Sequence, residues 1–390
     1  MAGSLLYGKA NRLTMKIGKK ILLMTMAILL LTVGAVVTYG TTFWSYSEKA
    51  ISKTFKKIDN NEESDNIIQA TKPFSILLMG VDTDEATRGG AWEGGRSDSM
   101  ILVTVNPQTK KTTMMSLTRD IMVEIANPDG RSSGTIEKLN HSYSYGEAPM
   151  TIATVEKMLD INIDRYVKIN MDGLRSLVDA LGGITVNNTL GFTISIEAQE
   201  PAYRATIDPG QHLINGDQAL VYARMRYDDP EGDVGRQKRQ REVIGAVVQK
   251  LLQLDGFTQY KKILDAVSTN LQTDIEISSA TITSLLGYKD SLNTLESYQL
   301  DGEGEMVDGL SYQIPTSKHL LEMQNVLKRS LGLHETTELK TNVRVYENLF
   351  GLPNPYTVVN AYTGIETPGT GNIVDSATTV ESTETTHLGQ

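Results

Sequence analysis

The chain has 390 residues, a net charge of −10 and no cysteine. It is long enough for one large domain or two small ones, and disulfides and thiolate metal sites are excluded. Residues 1–40 carry five bases (Lys9, Arg12, Lys16, Lys19, Lys20) and no acid, so taking them from −10 leaves −15 for the rest. An acidic bulk lacks the broad positive surface that nonspecific nucleic-acid binding needs. The five histidines show no metal-ligand spacing.

Ile21–Gly40 is uncharged and predominantly apolar, about the length that spans a bilayer. The bases before it favour a cytoplasmic N-terminus and an exported C-terminal bulk. The run is long for a signal peptide and lacks a good small-residue cleavage pattern, so an uncleaved anchor is expected. Four further segments follow from composition: a basic cytoplasmic piece at 1–20, a polar stalk at 41–71, a structured region at 72–333, and a tail at 334–390. The tail is rich in Thr, Gly, Ser and Glu from Ala361 onward and is expected to be largely disordered.

The structured region opens with Phe74–Val81, a continuous apolar run that reads as a buried strand. It ends at Asp82, before a Gly-rich loop that reaches Arg96. Met100–Asn106 and Thr112–Leu117 read as two more strands joined by a hairpin turn. Their flanks supply Asp98 before one and Arg119 with Asp120 after the other. Three strand ends thus deliver polar groups, and functional residues gather at strand ends in open α/β sheets. Two carboxylates without thiol or imidazole company suit an oxygen-seeking cation such as Mg²⁺. Taken singly, Asp82 and Asp98 read rather as turn and cap residues paired with the arginines; taken as a set, with a second arginine cluster at 224–241, they read as a site.

Residues 130–145 read as a polar loop able to rim a site or to cover an edge. Helices are expected over Ala148–Leu159, Gly173–Leu181, Phe257–Leu271, Ser278–Tyr288 and Ser317–Leu331. Strands are expected over Tyr166–Asn170, Ile184–Asn187 and Leu295–Leu300. Between them lies the stretch LVYARMRYDDPEGDVGRQKRQR, Leu220–Arg241, with six bases and four acids. Its start reads as a short buried strand or a helix end, Asp229–Gly232 as a turn, and Asp233 as an N-cap. A helix then runs over Gly235–Leu254. Its apolar face (Val243, Ile244, Val247, Val248, Leu251) continues backward into Gln240, Arg239 and Arg236. Arginine on a buried face is costly without a compensating anion, and guanidinium forks at a helix N-terminus suit phosphate. The alternative is a solvated mixed-charge helix start. Alternating strands and helices over 73–331 indicate one α/β domain whose central mixed sheet is covered by helices on both faces.

The succession GVDTD, GRSDSM, SLTRD, KLNHSYSYG, LVDALGGITV, YARMR and GDVGRQKRQ resembles the LytR–CpsA–Psr family over about Lys72–Leu333. The resemblance implies a membrane-anchored phosphotransferase of Gram-positive envelopes. Such an enzyme moves an anionic glycopolymer, a teichoic acid or capsular polysaccharide, from a polyprenyl-pyrophosphate carrier to peptidoglycan. By motif, Arg96, Arg119, Arg224, Arg226, Arg236 and Arg239 would surround the pyrophosphate with Gln240 nearby. Asp82 and Asp98 would hold Mg²⁺, Asp82 being preferred over Asp84 because it directly follows the strand. Arg119, Asp98, Arg226 and Arg236 would carry the chemistry. Asp229 or Asp233 would orient or deprotonate the acceptor hydroxyl. An apolar cavity for the prenyl chain is also implied. Water as the attacking group would make the protein a pyrophosphatase. A non-catalytic wall-binding protein or a transcription attenuator is the remaining alternative, and the acidic exported bulk argues against the attenuator.

Overall fold

The computed structural model describes residues 56, 71–83, 92, 95–254, 257–275, 284–285, 287–363 and 366–367. The expected anchor at 21–40, the stalk apart from Lys56 and Thr71, most of 278–288 and the tail beyond 367 lie outside the described residues.

Six strands form a mixed sheet in the order β10-β3-β2-β1-β6-β9. Strand β1 (Phe74–Val81) lies antiparallel to β2 (Ser97–Asn106) and parallel to β6 (Arg165–Asn170). Strand β3 (Lys111–Leu117) returns antiparallel to β2 and pairs in parallel with β10 (Leu295–Leu300). The short β9 (Leu271–Thr273) closes the other edge. The continuous apolar runs arise because both sheet faces are covered. Leu77, Met79, Met100, Leu102 and Met115 point into the main core. They pack against α1 (His141–Leu159) and α6 (Ser317–Ser330), which contribute Val155, Met158, Leu320 and Leu327.

The opposite face of the same strands carries Ile76, Leu78, Ile101, Val103 and Met114. It looks toward α2 (Met171–Ala180), α4 (Asp233–Leu252) and α5 (Phe257–Val267). Here the faces do not close on each other, and an apolar cavity remains. A second cluster beside it joins α2 and α4 to α3 (Gly216–Arg224) and to the hairpin β7 (Ile184–Asn188) and β8 (Gly210–Ile214).

Several local expectations are corrected. Residues 130–145 are not a loop: β5 (Ser132–Lys138) pairs with β4 (Met122–Ala126), and α1 begins at His141. The ribbon β4–β5 is held by pairing, which polar composition does not reveal. Of the two readings offered for the start of the arginine stretch, the helix end holds and the strand does not: residues 216–224 form a helix opened by a reciprocal capping box between Asn215 and Gln218. Asp233 is the first helical residue and not the cap, which is Gly232. Order does not fade at 334. The chain continues through β11 (Leu339–Thr341), α7 (Tyr346–Leu349) and β12 (Val358–Asn360). Leu339, Val343, Val345 and Val358 are buried in the main core. They are scattered singly among polar residues, so the segment lacks the periodicity that marks a packed element.

Candidate active site

The site forms where the sheet meets the arginine-rich stretch. A register shift falls between Gly80 and Val81: Gly80 pairs with Ser99 and Val81 with Ser97, so Asp98 is the extra residue of a bulge. The bulge sets Asp98 beside the end of β1. The Asp82 and Asp98 backbone N–H groups both donate to the Arg96 carbonyl, at 3.0 Å each. Arg119 follows β3 and Arg224 ends α3, while Arg236 and Gln240 lie in the first two turns of α4. Asp82, Asp98, Arg119, Arg224, Arg226, Arg236 and Gln240 all line one cavity of about 760 Å³. Away from them its walls are aliphatic, from the sheet and from α2, α4 and α5.

The charges are interlocked. Arg119 Nη1 lies 2.9 Å from Asp98 Oδ2, and Asn140 Nδ2 donates to Asp98 Oδ1 at 3.0 Å. Arg224 bridges two carboxylates, Asp82 Oδ1 at 2.7 Å and Glu200 Oε2 at 2.6 Å. Arg236 reaches Asp233 Oδ1 at 2.6 Å. The Gln240 amide is oriented by Ser99 Oγ, which donates to Oε1 at 2.8 Å. Burial opposes the charge on Arg119 and Arg224, yet the neighbouring carboxylates outweigh it and raise both pKa values. Arg236 behaves oppositely. Burial lowers its pKa, and Arg119 and Arg226 add to that against a partial opposing pull from Asp233. The Nε atoms of Arg224 and Arg236 are buried without a hydrogen-bond partner. Unsatisfied buried donors on guanidinium groups that burial has stripped of water are the local condition that an anion relieves.

Two arginines singled out from sequence stand elsewhere. Arg96 is exposed and takes no part in the cavity lining; its backbone carbonyl, not its guanidinium, serves the site. Arg239 is buried and spent: it binds the Asp229 carboxylate and donates to the carbonyls of Tyr222 and Met225. It holds the 222–229 segment under the site. Asp229 is thereby committed as an ion-pair partner, and Asp233 is committed to Arg236 and the Gln237 amide, so neither is placed as a base. Asp84 lies outside the described residues.

Sequence reasoning missed Glu200 and Tyr227, whereas Asn140 lies in the polar 130–145 segment that it noted as able to rim a site. Glu200 and Tyr227 line the cavity beside the arginines, and Asn140 holds Asp98. Tyr227 adjoins Arg226 in sequence, a signal that was present. Glu200 sits in a weakly charged stretch and reaches the site only through the fold.

A family model described as the LytR_cpsA_psr family matches residues 41–329. The chain is 56% identical over 340 residues to Biofilm regulatory protein A of Streptococcus mutans, covering 86% of this chain and 83% of that one. It is 41% identical over 315 residues to the polyisoprenyl-teichoic acid–peptidoglycan teichoic acid transferase TagU of Enterococcus faecalis, covering 81% and 98%. Among solved structures it resembles TagT bound to LIIa-WTA, with a TM-score of 0.56 and 29% identity, covering 72% of this chain and 96% of that chain. A match over most of the domain, together with the sheet, the cavity and the arginines at its mouth, places the chain in the LytR–CpsA–Psr family.

Proposed function

We propose that this protein is a membrane-anchored phosphotransferase that moves an anionic glycopolymer from a polyprenyl-pyrophosphate carrier to a sugar hydroxyl of peptidoglycan. The observation that carries the reading is one cavity with two chemistries: a long aliphatic interior, and a mouth of four arginines with three carboxylates. A prenyl pyrophosphate has the same division. The names of the Enterococcus relative and the TagT structure support the substrate class.

In the proposed reaction the acceptor oxygen attacks the phosphorus of the sugar-bearing phosphate. The bond from that phosphorus to the bridging oxygen breaks, and polyprenyl phosphate departs with the electron pair. The hydroxyl proton passes to a carboxylate at the mouth or to water. Arg119, Arg226 and Arg236 stabilise charge spread over the phosphoryl oxygens, and preorganised cations in a poorly hydrated cleft do this at little reorganisation cost. Asp98 orients Arg119, and Asp82 with Glu200 orients Arg224.

Asp82 and Asp98 fit a hard divalent cation. They are carboxylates on adjoining strand ends in a donor set of oxygens, and the buried Asn140 Oδ1 beside Asp98 has no hydrogen-bond partner. We propose Mg²⁺ there, where it would neutralise charge on the leaving phosphate. Ile21–Gly40 is proposed as the anchor that keeps the cavity near its lipid, with the domain outside the cell.

The test uses the full-length protein in detergent, with a polyprenyl-pyrophosphate-linked glycopolymer and glycan strands. Arg119→Ala is expected to lower kcat by about 10²–10³-fold. Native mass spectrometry should find polyprenyl phosphate or pyrophosphate on the parent. A phosphodiester product marks transfer, whereas a free polymer phosphate marks hydrolysis. A parent that binds no prenyl lipid even with Mg²⁺ present would falsify the reading.

A further inference from the structure

At the cavity mouth a tyrosine stands in the open. Tyr227 is 64% exposed and still lines the same cavity as the arginines. It does not hang loose. The Arg226 guanidinium lies over its ring, 4.6 Å from the centroid, and Arg226 Nη2 donates to its phenol oxygen at 2.8 Å. One ring face is thereby covered and the orientation set, while most of the residue faces solvent. Glu200 and Arg119 are near enough to act electrostatically on the phenol. Glu200 keeps one oxygen on Arg224 and is itself partly exposed.

We propose that Tyr227, together with Glu200 of the same cavity lining, forms the subsite that receives the acceptor sugar; this rests on the transfer reading above and deepens it. The chemistry distinguishes the two substrates. The donor is anionic at its reacting end and is drawn to the arginines, whereas a carboxylate at the rim repels phosphate and accepts hydrogen bonds from hydroxyls. A pyranose offers such hydroxyls at its edge and an apolar C–H face. That face carries slight positive charge and stacks on the negative face of an aromatic ring, much as ring edges do. A fixed, exposed aromatic beside a partly exposed carboxylate therefore matches a neutral sugar better than a polymer phosphate. Arg226 joins the two sides, since it lines the donor cavity and supports the ring.

The experiment measures two affinities on the full-length protein in detergent: for soluble peptidoglycan glycan strands, and for polyprenyl phosphate. Tyr227→Ala is expected to weaken glycan binding and raise the acceptor KM about tenfold, about 1.4 kcal/mol. Lipid affinity should stay within about twofold, the ring being outside the aliphatic interior. Tyr227→Phe and Tyr227→Trp should keep most of the acceptor affinity, because both retain a flat aromatic face. Unchanged glycan binding in Tyr227→Ala overturns the proposal. So does a Phe variant as impaired as Ala, or a parallel loss of lipid affinity, since either would make Tyr227 a support for Arg226 on the donor side. A parent that binds lipid but no glycan also removes the subsite. A parent that binds glycan through Tyr227 but no prenyl lipid leaves the subsite standing and removes the transfer reading.

Discussion

Asp229 and Arg239 form a buried pair with no exposed edge, and Gly235 makes room for it: a Cβ there would overlap the Asp229 carboxylate. Asp229→Ala leaves a guanidinium buried against two carbonyls, a loss of about 3–5 kcal/mol. Gly235→Ala should act in the same direction by displacing the carboxylate. Urea unfolding measures both, and variants as stable as the parent would mean the pair is not the clamp described. A second residue-scale prediction concerns Asp274. Burial pushes its carboxyl up to about 6, while the Tyr166 N–H donating to Oδ1 at 2.9 Å pulls partly back. The folded state then binds the proton more tightly than the unfolded chain. Its contribution is greatest at acid pH and is lost as pH rises through about 6. Asp274→Asn keeps an acceptor for Tyr166 without the charge. It should stabilise by about 1–3 kcal/mol at pH 8 and by clearly less at pH 5. An equal gain at both values would contradict this.

Among the elements, α4 has two duties. Its first turns carry Arg236 and Gln240 into the mouth, and its later turns give Val243, Ile244 and Val248 to the cavity wall. Its apolar face was legible from periodicity, and so was the continuation of that face into arginine. The periodicity could not show that Arg239, three residues from Arg236, rotates under the α3–α4 connection instead of into the cavity. Gly245 sits mid-helix on the wall, where a Cβ would meet only Leu295 Cδ1 at 3.5 Å. Gly245→Ala should therefore stabilise the protein by about 0.5–1 kcal/mol through helix propensity. A thermal melt checks the gain, and a lower Tm would show that the cavity wall tolerates no added methyl. Strand β2 and its bulge do comparable work, since a one-residue shift against β1 turns Asp98 toward the site.

At the scale of the molecule, the sheet separates a closed core from an open one. The face toward α1 and α6 is filled, and the face toward α2, α4 and α5 leaves the cavity. The filled side depends on residues 334–363, beyond the family match. Leu339, Val343, Val345 and Val358 are buried there, each contributing about 1.5–3 kcal/mol. Gln324 Nε2 also donates to the Lys340 carbonyl at 2.9 Å, and Thr341 Oγ1 to the Met158 carbonyl at 3.1 Å. Ending the chain after Leu333 is expected to unfold the domain or lower its Tm by more than about 10 °C. A truncated protein with the parent's Tm would refute a structural role for the segment.

The sequence by itself determined the α/β class, the three central strands and the arginine helix; the family motifs implied the grouping of Asp82, Asp98, Arg119, Arg224, Arg226 and Arg236, together with Arg96 and Arg239, which the fold sets apart. It could do so because strand and helix periods are local properties, and because apolar runs end where polar groups begin. Tertiary structure alone decided which arginines face the cavity. That depends on the rotation of α4 against α3 and on Asp229 claiming Arg239. It also decided that Glu200 and Tyr227 share a rim, since no local pattern ties a loop before α3 to a turn after it. The ordering of 334–363 was settled the same way. Its few apolar side chains are spaced too far apart in sequence to signal an element, and they are buried in a core built largely by distant parts of the chain.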